Sequence, residues 1–357
     1  LKNKSISKMI LILIAALGAA MFASACERED SGAYEQGVSA LESGDYDSAL
    51  GFFKIAAEQD GRYAEAYRGE GLAYLGRGDY SYAVKFFDMS LNAMKHENEE
   101  FSGDVLFYKA RAQEQVPDPA GAEETYLSLL DGERADEAYA LLGNLYLKED
   151  NDSAASAAFE NAIALDPSYD NYLIIYEAYD DANREGDGAR YLEDALLLTP
   201  ETPADFMKQG QIYTYLEDYQ SARESLNTAI ERGNTDAIPI LGYICLLQND
   251  IASAKVLYQR VLDAGTNDAL AYNGLAMTSL AQGQYEEALS SIRKGLDCND
   301  AEMNKSLLFN QIVVYEKALD FEMAKEKTEE FLKLYPSDDE MRSEYKFLKR
   351  NNLVLPL

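Results

Sequence analysis

The sequence predicts an all-α solenoid: about nine helix–turn–helix repeats stacked end to end and closed by a C-terminal capping helix. Three observations point there. The stretch GDYDSALGFFKIA from Gly44 returns 34 residues later as GDYSYAVKFFDMS from Gly78, and again as EDYQSARESLNTA from Glu217 and GQYEEALSSIRKG from Gly283. Recurrence at such a period marks stacked supersecondary units rather than one central core. Each turn is preceded by a segment of helical periodicity, for example AEAYRGEGLAYLGRG and DEAYALLGNLYLKED. Finally, repeats are placed to begin near residues 30, 64, 103, 136, 169, 203, 235, 269 and 305. Their eighth, twentieth and twenty-seventh positions then hold Gly, Ala or Ser in 22 of 27 places, against about a quarter of the whole chain.

The elements follow in chain order. Lys2, Lys4 and Lys8 precede an uncharged run from Met9 that ends in small residues, the layout of an export signal over residues 1–25. Ala23-Ser24-Ala25 satisfies the small-x-small rule for ordinary signal cleavage. The same residues with Cys26 resemble a bacterial lipobox, although Ala23 stands where that pattern prefers Leu. Lipidation, plain secretion and an uncleaved anchor all remain open readings. A cysteine immediately after the cleavage site favours lipidation, because a free thiol is a liability in a secreted protein. The resemblance implies a lipid on Cys26, location at the extracytoplasmic face of a bacterial membrane, and a short acidic tether over 26–29. Each buried methylene of such an anchor contributes ~0.8 kcal/mol.

Within the repeats, helix A is expected to end at a left-handed residue, for which Gly44, Gly78 and Gly283 are suited. Phe53, Phe87, Tyr126, Phe159 and Tyr258 fall at mid-helix B, and Tyr74, Tyr146, Tyr179, Tyr213 and Tyr315 late in helix A, as core fillers. Asp166-Pro167 and Tyr335-Pro336 should end the fourth and ninth B helices, since helices stop before proline. The pattern is fullest in repeats 1, 2, 4, 6 and 8. It thins in 3, 9 and especially 5, where DDANREGDG reads as a lengthened turn and Gly188 replaces Ala. Residues 30–338 thus form the solenoid. In 339–357, DDEMRSEYKFLKR, which begins at the solenoid's last residue, supplies the polar outer face of a capping helix. The 34-residue unit with these small positions resembles the tetratricopeptide repeat, which implies a right-handed superhelix with a concave wall built from helices A.

The chain carries a formal charge of −31 and no Trp, but 26 Tyr. Nucleic acid would be repelled by such a surface. The acid is concentrated: residues 130–240 hold 24 Asp and Glu against 7 Lys and Arg. Three cysteines cannot make a disulfide framework, and Cys245 and Cys298 read as small buried apolar side chains. The single histidine, His96, lies in the polar string KHENEE and reads as a solvated loop residue. No nucleophile elbow or phosphate-binding glycine loop accompanies it, so the chain reads as non-enzymatic and without cofactor. The stretch from Asp181 imitates a calcium loop with Asp181, Asn183, Glu185 and Gly186, but Leu192 occupies the twelfth position, where a bidentate Glu is needed. An acidic turn between two helices is the better reading.

The family resemblance also implies ligand-facing positions, the second, fifth, ninth, twelfth and thirteenth of each repeat. In the first two repeats these include Arg68 and Leu72. Repeats three to five contribute Phe107, Arg111, Asn144, Glu177 and Asp181. The last four contribute Gln211, Tyr215, Tyr243, Met277 and Phe309. An acidic middle is flanked by apolar and aromatic ends, which suits a protein or peptide partner that is basic with apolar positions. The Lys/Asn pair that grips C-terminal carboxylates elsewhere in the family is missing: the equivalent pairs are Tyr34/Val38, Arg68/Leu72, Ala140/Asn144 and Asn273/Met277. Stacked Tyr and carboxylates would alternatively suit a glycan or small solute, provided Tyr215 and Tyr243 shared a pocket.

Overall fold

The computed structural model describes residues 32–351, apart from 97, 117 and 337. The export signal, the tether and Cys26 lie outside the described residues. Nineteen α-helices and no strand occur among the described residues. They form nine A/B pairs: α1 (Ala33–Glu42) with α2 (Tyr46–Asp60), α3 (Tyr63–Gly76) with α4 (Tyr80–Ala93), and α5 (Glu99–Gln115) with α6 (Pro119–Leu127). Next come α7 (Ala135–Lys148) with α8 (Asp152–Leu165), and α9 (Tyr169–Asp181) with α10 (Glu185–Ala195). The remaining pairs are α11 (Pro203–Tyr215) with α12 (Tyr219–Glu231), α13 (Ala237–Leu247) with α14 (Ile251–Ala264), α15 (Asp268–Ala281) with α16 (Tyr285–Asp297), and α17 (Ala301–Lys317) with α18 (Phe321–Leu334). Helix α19 (Asp339–Asn351) packs on α18. None of these helices is long and apolar enough to cross a membrane.

The chain divides into two packing units, one ending at Leu198 and carrying α1–α10, the other beginning at Thr199 and carrying α11–α19. Within each unit, every helix packs on its sequence neighbour. Helices A of consecutive pairs also pack directly on one another, as in α1 on α3, α7 on α9, and α13 on α15, whereas helices B of consecutive pairs scarcely touch. The A layer is therefore the inner one. The core is a chain of small clusters. Phe107, Tyr126 and Leu142 make one in the first unit; Leu226, Ile240 and Ile244, then Ile292, Leu307 and Val314, make two in the second.

All 27 of the small-residue positions are buried. The glycines among them face a large side chain of the neighbouring helix: an added Cβ would meet the Phe87 ring at 2.6 Å from Gly71, and Leu226 at 2.5 Å from Gly210. Repeat 5 differs from expectation in two ways. Its turn, residues 182–184, is no longer than that of its neighbours, because Gly186 and Asp187 belong to α10. Its eighth position is also large: Tyr176 takes it on α9, and Gly188, where the other repeats carry Ala, leaves room on α10 for Tyr176 and Tyr179. The smaller residue on α10 makes room for the larger one on α9, and both stay buried. The same helix removes the calcium-loop reading, since a twelve-residue loop from Asp181 is never formed.

Eight of the nine A helices end alike, with one left-handed residue: Gly44, Gly78, Asp150, Asn183, Glu217, Asn249, Gly283 and Leu319. The next residue's N–H donates back to a carbonyl in the last turn, as Asp45 does to Ala40 (2.9 Å) and Asp320 to Tyr315 (2.9 Å). That same residue usually begins helix B: the carboxylates of Asp45, Asp218, Asp250 and Asp320 accept from backbone N–H groups three residues on. The fourth and ninth B helices stop at Leu165 and Leu334, ahead of the two prolines. One cysteine departs from expectation. Cys245 is buried, but Cys298 is exposed, because it caps the end of α16 rather than facing the next pair.

Two substitutions test this geometry in opposite directions. Ala83→Leu, at a fully buried crossing, should lower stability by ~1–3 kcal/mol through overpacking. Leu319→Gly should raise it by about 0.5–1 kcal/mol, because Leu319 holds φ 61° while its side chain is 73% exposed and contributes little packing. Thermal denaturation of both variants checks the pair; a destabilised Leu319→Gly would contradict the assigned turn.

Candidate functional site

The predicted ligand-facing residues lie on the inner A layer, and their exposure varies widely. In the first unit, Leu72 packs against Phe87 and Val105, and Arg68 pairs with Asp104 of the next A helix. Asp104 lies 3.8 Å from Arg134, which pairs in turn with Glu137 (2.6 Å) and sits 3.9 Å above the Phe107 ring. A line of alternating charge therefore crosses α3, α5 and α7. Phe107 is 3% exposed, so it is the floor beneath Arg134 rather than an open contact. Arg111 is exposed. Helix by helix, the sequence's acidic middle is partly neutralised: Glu114 accepts from both Tyr126 Oη (2.6 Å) and Lys148 Nζ (2.6 Å).

Glu177, on α9, is a strongly perturbed member of the wall. Its Oε1 is inaccessible to solvent and has no hydrogen-bond partner among the described residues. Burial, with Asp181 and Asp180 beside it, pushes its carboxyl up to about 7. Asn144, at the equivalent position of α7, likewise has a buried Oδ1 with no such partner. Asn144 and Asp181 line one cavity near the ends of α7 and α9, together with Lys148 and Asp150. Sequence reasoning passed over the last two. Lys148 sits at the thirteenth position of its repeat, so the positional rule would have found it; Asp150 is the left-handed turn residue, which the rule does not include.

In the second unit, Gln211 and Tyr243 are 2% and 3% exposed and act as packing residues of α11 and α13. Burial raises the Tyr243 phenol well above its usual range. Tyr215, Met277 and Phe309 are half-buried, and Phe309 packs with Ile312 and Phe331 against Met341 of α19. Asn310 Nδ2 donates to Asn273 Oδ1 (2.8 Å) and joins α15 to α17 inside the stack. His96 is exposed.

The Glu177 carboxyl makes a signed prediction. Its folded pKa lies above the unfolded value near 4.5, so the native state binds the extra proton and stability falls as pH rises from about 4.5 to about 7. Glu177→Gln should remove that loss. In urea titrations, its stability relative to wild type should grow across this window and level off above it; a pH-independent difference would refute the assignment.

No curated protein matches the chain. Among solved structures, it is similar to a tetratricopeptide repeat protein from Parabacteroides merdae, at 15% identity and TM-score 0.43 over 80% of this chain and 95% of that one. It is similar to yeast Tom70 at 13% identity and TM-score 0.46, over 99% and 93%. PilW, a widely conserved type IV pilus biogenesis factor, matches at 16% identity and TM-score 0.42, over 59% and 99%. Family models described as tetratricopeptide repeat match residues 34–97 and 246–302 in one case, and 136–169 and 206–232 in the other. Those spans fall on pairs 1, 2, 4, 6 and 8 and the second helix of pair 7. With just over half of its residues matched and nine helix pairs among the described residues, the chain belongs to the tetratricopeptide repeat family.

Proposed function

We propose that the chain is a membrane-tethered, extracytoplasmic scaffold in a bacterial envelope, which docks a partner protein or extended peptide along its A helices and performs no catalysis. The observation that carries this reading is the inner layer itself. Successive A helices present side chains in the same register, and the ion-pair line from Arg68 through Asp104 and Arg134 to Glu137 runs from one repeat to the next. A surface assembled from equivalent positions of consecutive helices suits a long ligand that meets each repeat in turn. Acid dominates the 130–240 stretch even after internal pairing, which favours a partner with basic residues between apolar ones. The tether rests on the export-signal pattern and on Cys26 at its end.

Two experiments test the two halves. Affinity capture from native membranes with wild type and with Glu177→Lys/Asp181→Lys should recover a partner whose yield drops in the double variant and whose retention weakens with salt. Unchanged recovery and salt dependence would sink the electrostatic part. Cys26→Ser should leave helicity intact and move the protein from the membrane fraction to the soluble one; continued membrane retention would show that lipid on Cys26 is not the anchor.

A further inference from the structure

Near the C-terminal ends of α7 and α9 lies a cavity of about 240 Å³. Its size is below the roughly 300–1,000 Å³ usual for small-molecule sites, and closer to that of one long side chain. One part of the lining is apolar, from Leu147, Ala178 and Ala182. Another supplies acceptors: the Asn144 amide, whose Oδ1 is buried without a hydrogen-bond partner among the described residues, and the carboxylates of Asp150 and Asp181. The nearby helix C-termini add partial negative charge.

The two cations in the lining do not reverse this balance. Lys148 Nζ lies 2.6 Å from Glu114 Oε2. Arg184 donates from Nε to Asp187 Oδ2 (2.8 Å) and from its terminal nitrogens to both oxygens of Asp152. Both are already matched by carboxylates that do not line the cavity, so an entering anion would have to displace those pairs. An entering cation meets Asn144 Oδ1, which has no hydrogen-bond partner among the described residues, with two carboxylates in the same lining.

We propose that this cavity receives the side chain of an arginine of the docked partner, an inference that rests on the docking function above. The methylene stem would lie against Leu147, Ala178 and Ala182. The guanidinium would face Asn144, Asp150 and Asp181. Because these acceptors come from two helices and a turn, a planar fork of five N–H donors can engage several at once, which a lysine ammonium matches less well. The site lies wholly within the first packing unit, and its lining comes from α7, α9 and the turns that follow them.

The test uses the full chain and N-acetyl-argininamide, with N-acetyl-lysinamide and N-acetyl-aspartate as comparators, followed by calorimetry or by NMR shifts of Asn144 and Asp150. Argininamide should bind at least about tenfold more tightly than lysinamide, a difference of about 1.4 kcal/mol. Asn144→Leu and Asp150→Asn should each weaken it by about tenfold or more while leaving thermal stability within a few degrees of wild type. Asn144→Leu removes an unpartnered buried polar group. Asp150→Asn keeps a residue type that tolerates the left-handed turn. Equal binding of lysinamide, preference for the aspartate, or undiminished binding in both variants would overturn the proposal. Partner capture separates it from the docking function. Capture that persists in both variants removes the arginine pocket and leaves docking standing, whereas no capture by wild type, with argininamide still bound, removes docking and leaves a guanidinium site.

Discussion

The fold depends on one steric condition: two helix backbones must come close enough for a large side chain on one to lie against a glycine or alanine of the other. Phe53 on α2 meets Gly37 of its own pair and Gly69 of the next, and Tyr258 on α14 does the same with Gly242 and Gly274. A single ring thus fixes the angle within a pair and the stacking between pairs. The twentieth position is the other half of the contact; all nine of its residues are buried, eight of them Ala and one Gly. Because the contact repeats locally, stability is spread over a series of clusters along the chain rather than gathered in one core.

The turn between A and B acts on the same crossing from its open end. One left-handed residue stops helix A, and the residue after it both closes the A terminus and opens helix B, so the angle between the two helices is set within three residues. Glycine fills that position only three times among the eight; Asp150, Asn183, Glu217, Asn249 and Leu319 accept the same conformation. Asp and Asn carry it at modest cost, whereas Glu217 and Leu319 hold it at a higher one. A search for glycine alone therefore finds fewer turns than the chain contains.

Charge on the inner layer is organised differently from what a count of acidic residues implies. Asp104, Glu114 and Glu137 each face a cation drawn from another repeat or from a turn, and Glu177, with an inaccessible Oε1 and Asp181 and Asp180 beside it, has its ionisation opposed near neutrality. Near the ends of α7 and α9, Asn144 Oδ1 is left without a hydrogen-bond partner among the described residues. The wall is thus patterned repeat by repeat, and a partner meets local sites rather than a uniform acidic stripe.

By itself the sequence determined the all-helical class, the nine-pair organisation, the register of small residues and the proline stops, since all of these follow from spacing along the chain and from which side chains allow close approach. It also marked repeat 5 as irregular. Only the tertiary structure shows that Tyr176 and Tyr179 fill the space left at Gly188 across that crossing, because a contact between two helices is not a property of either one. The site was less legible for the same reason. A position in the repeat says that Phe107, Gln211 and Tyr243 lie on helices A, but their burial depends on the neighbouring pair. Likewise, no spacing rule brings Asn144, Asp150 and Asp181 to one cavity, or matches Lys148 and Arg184 to carboxylates beside it; those relations arise only when separate turns of the chain are packed against each other.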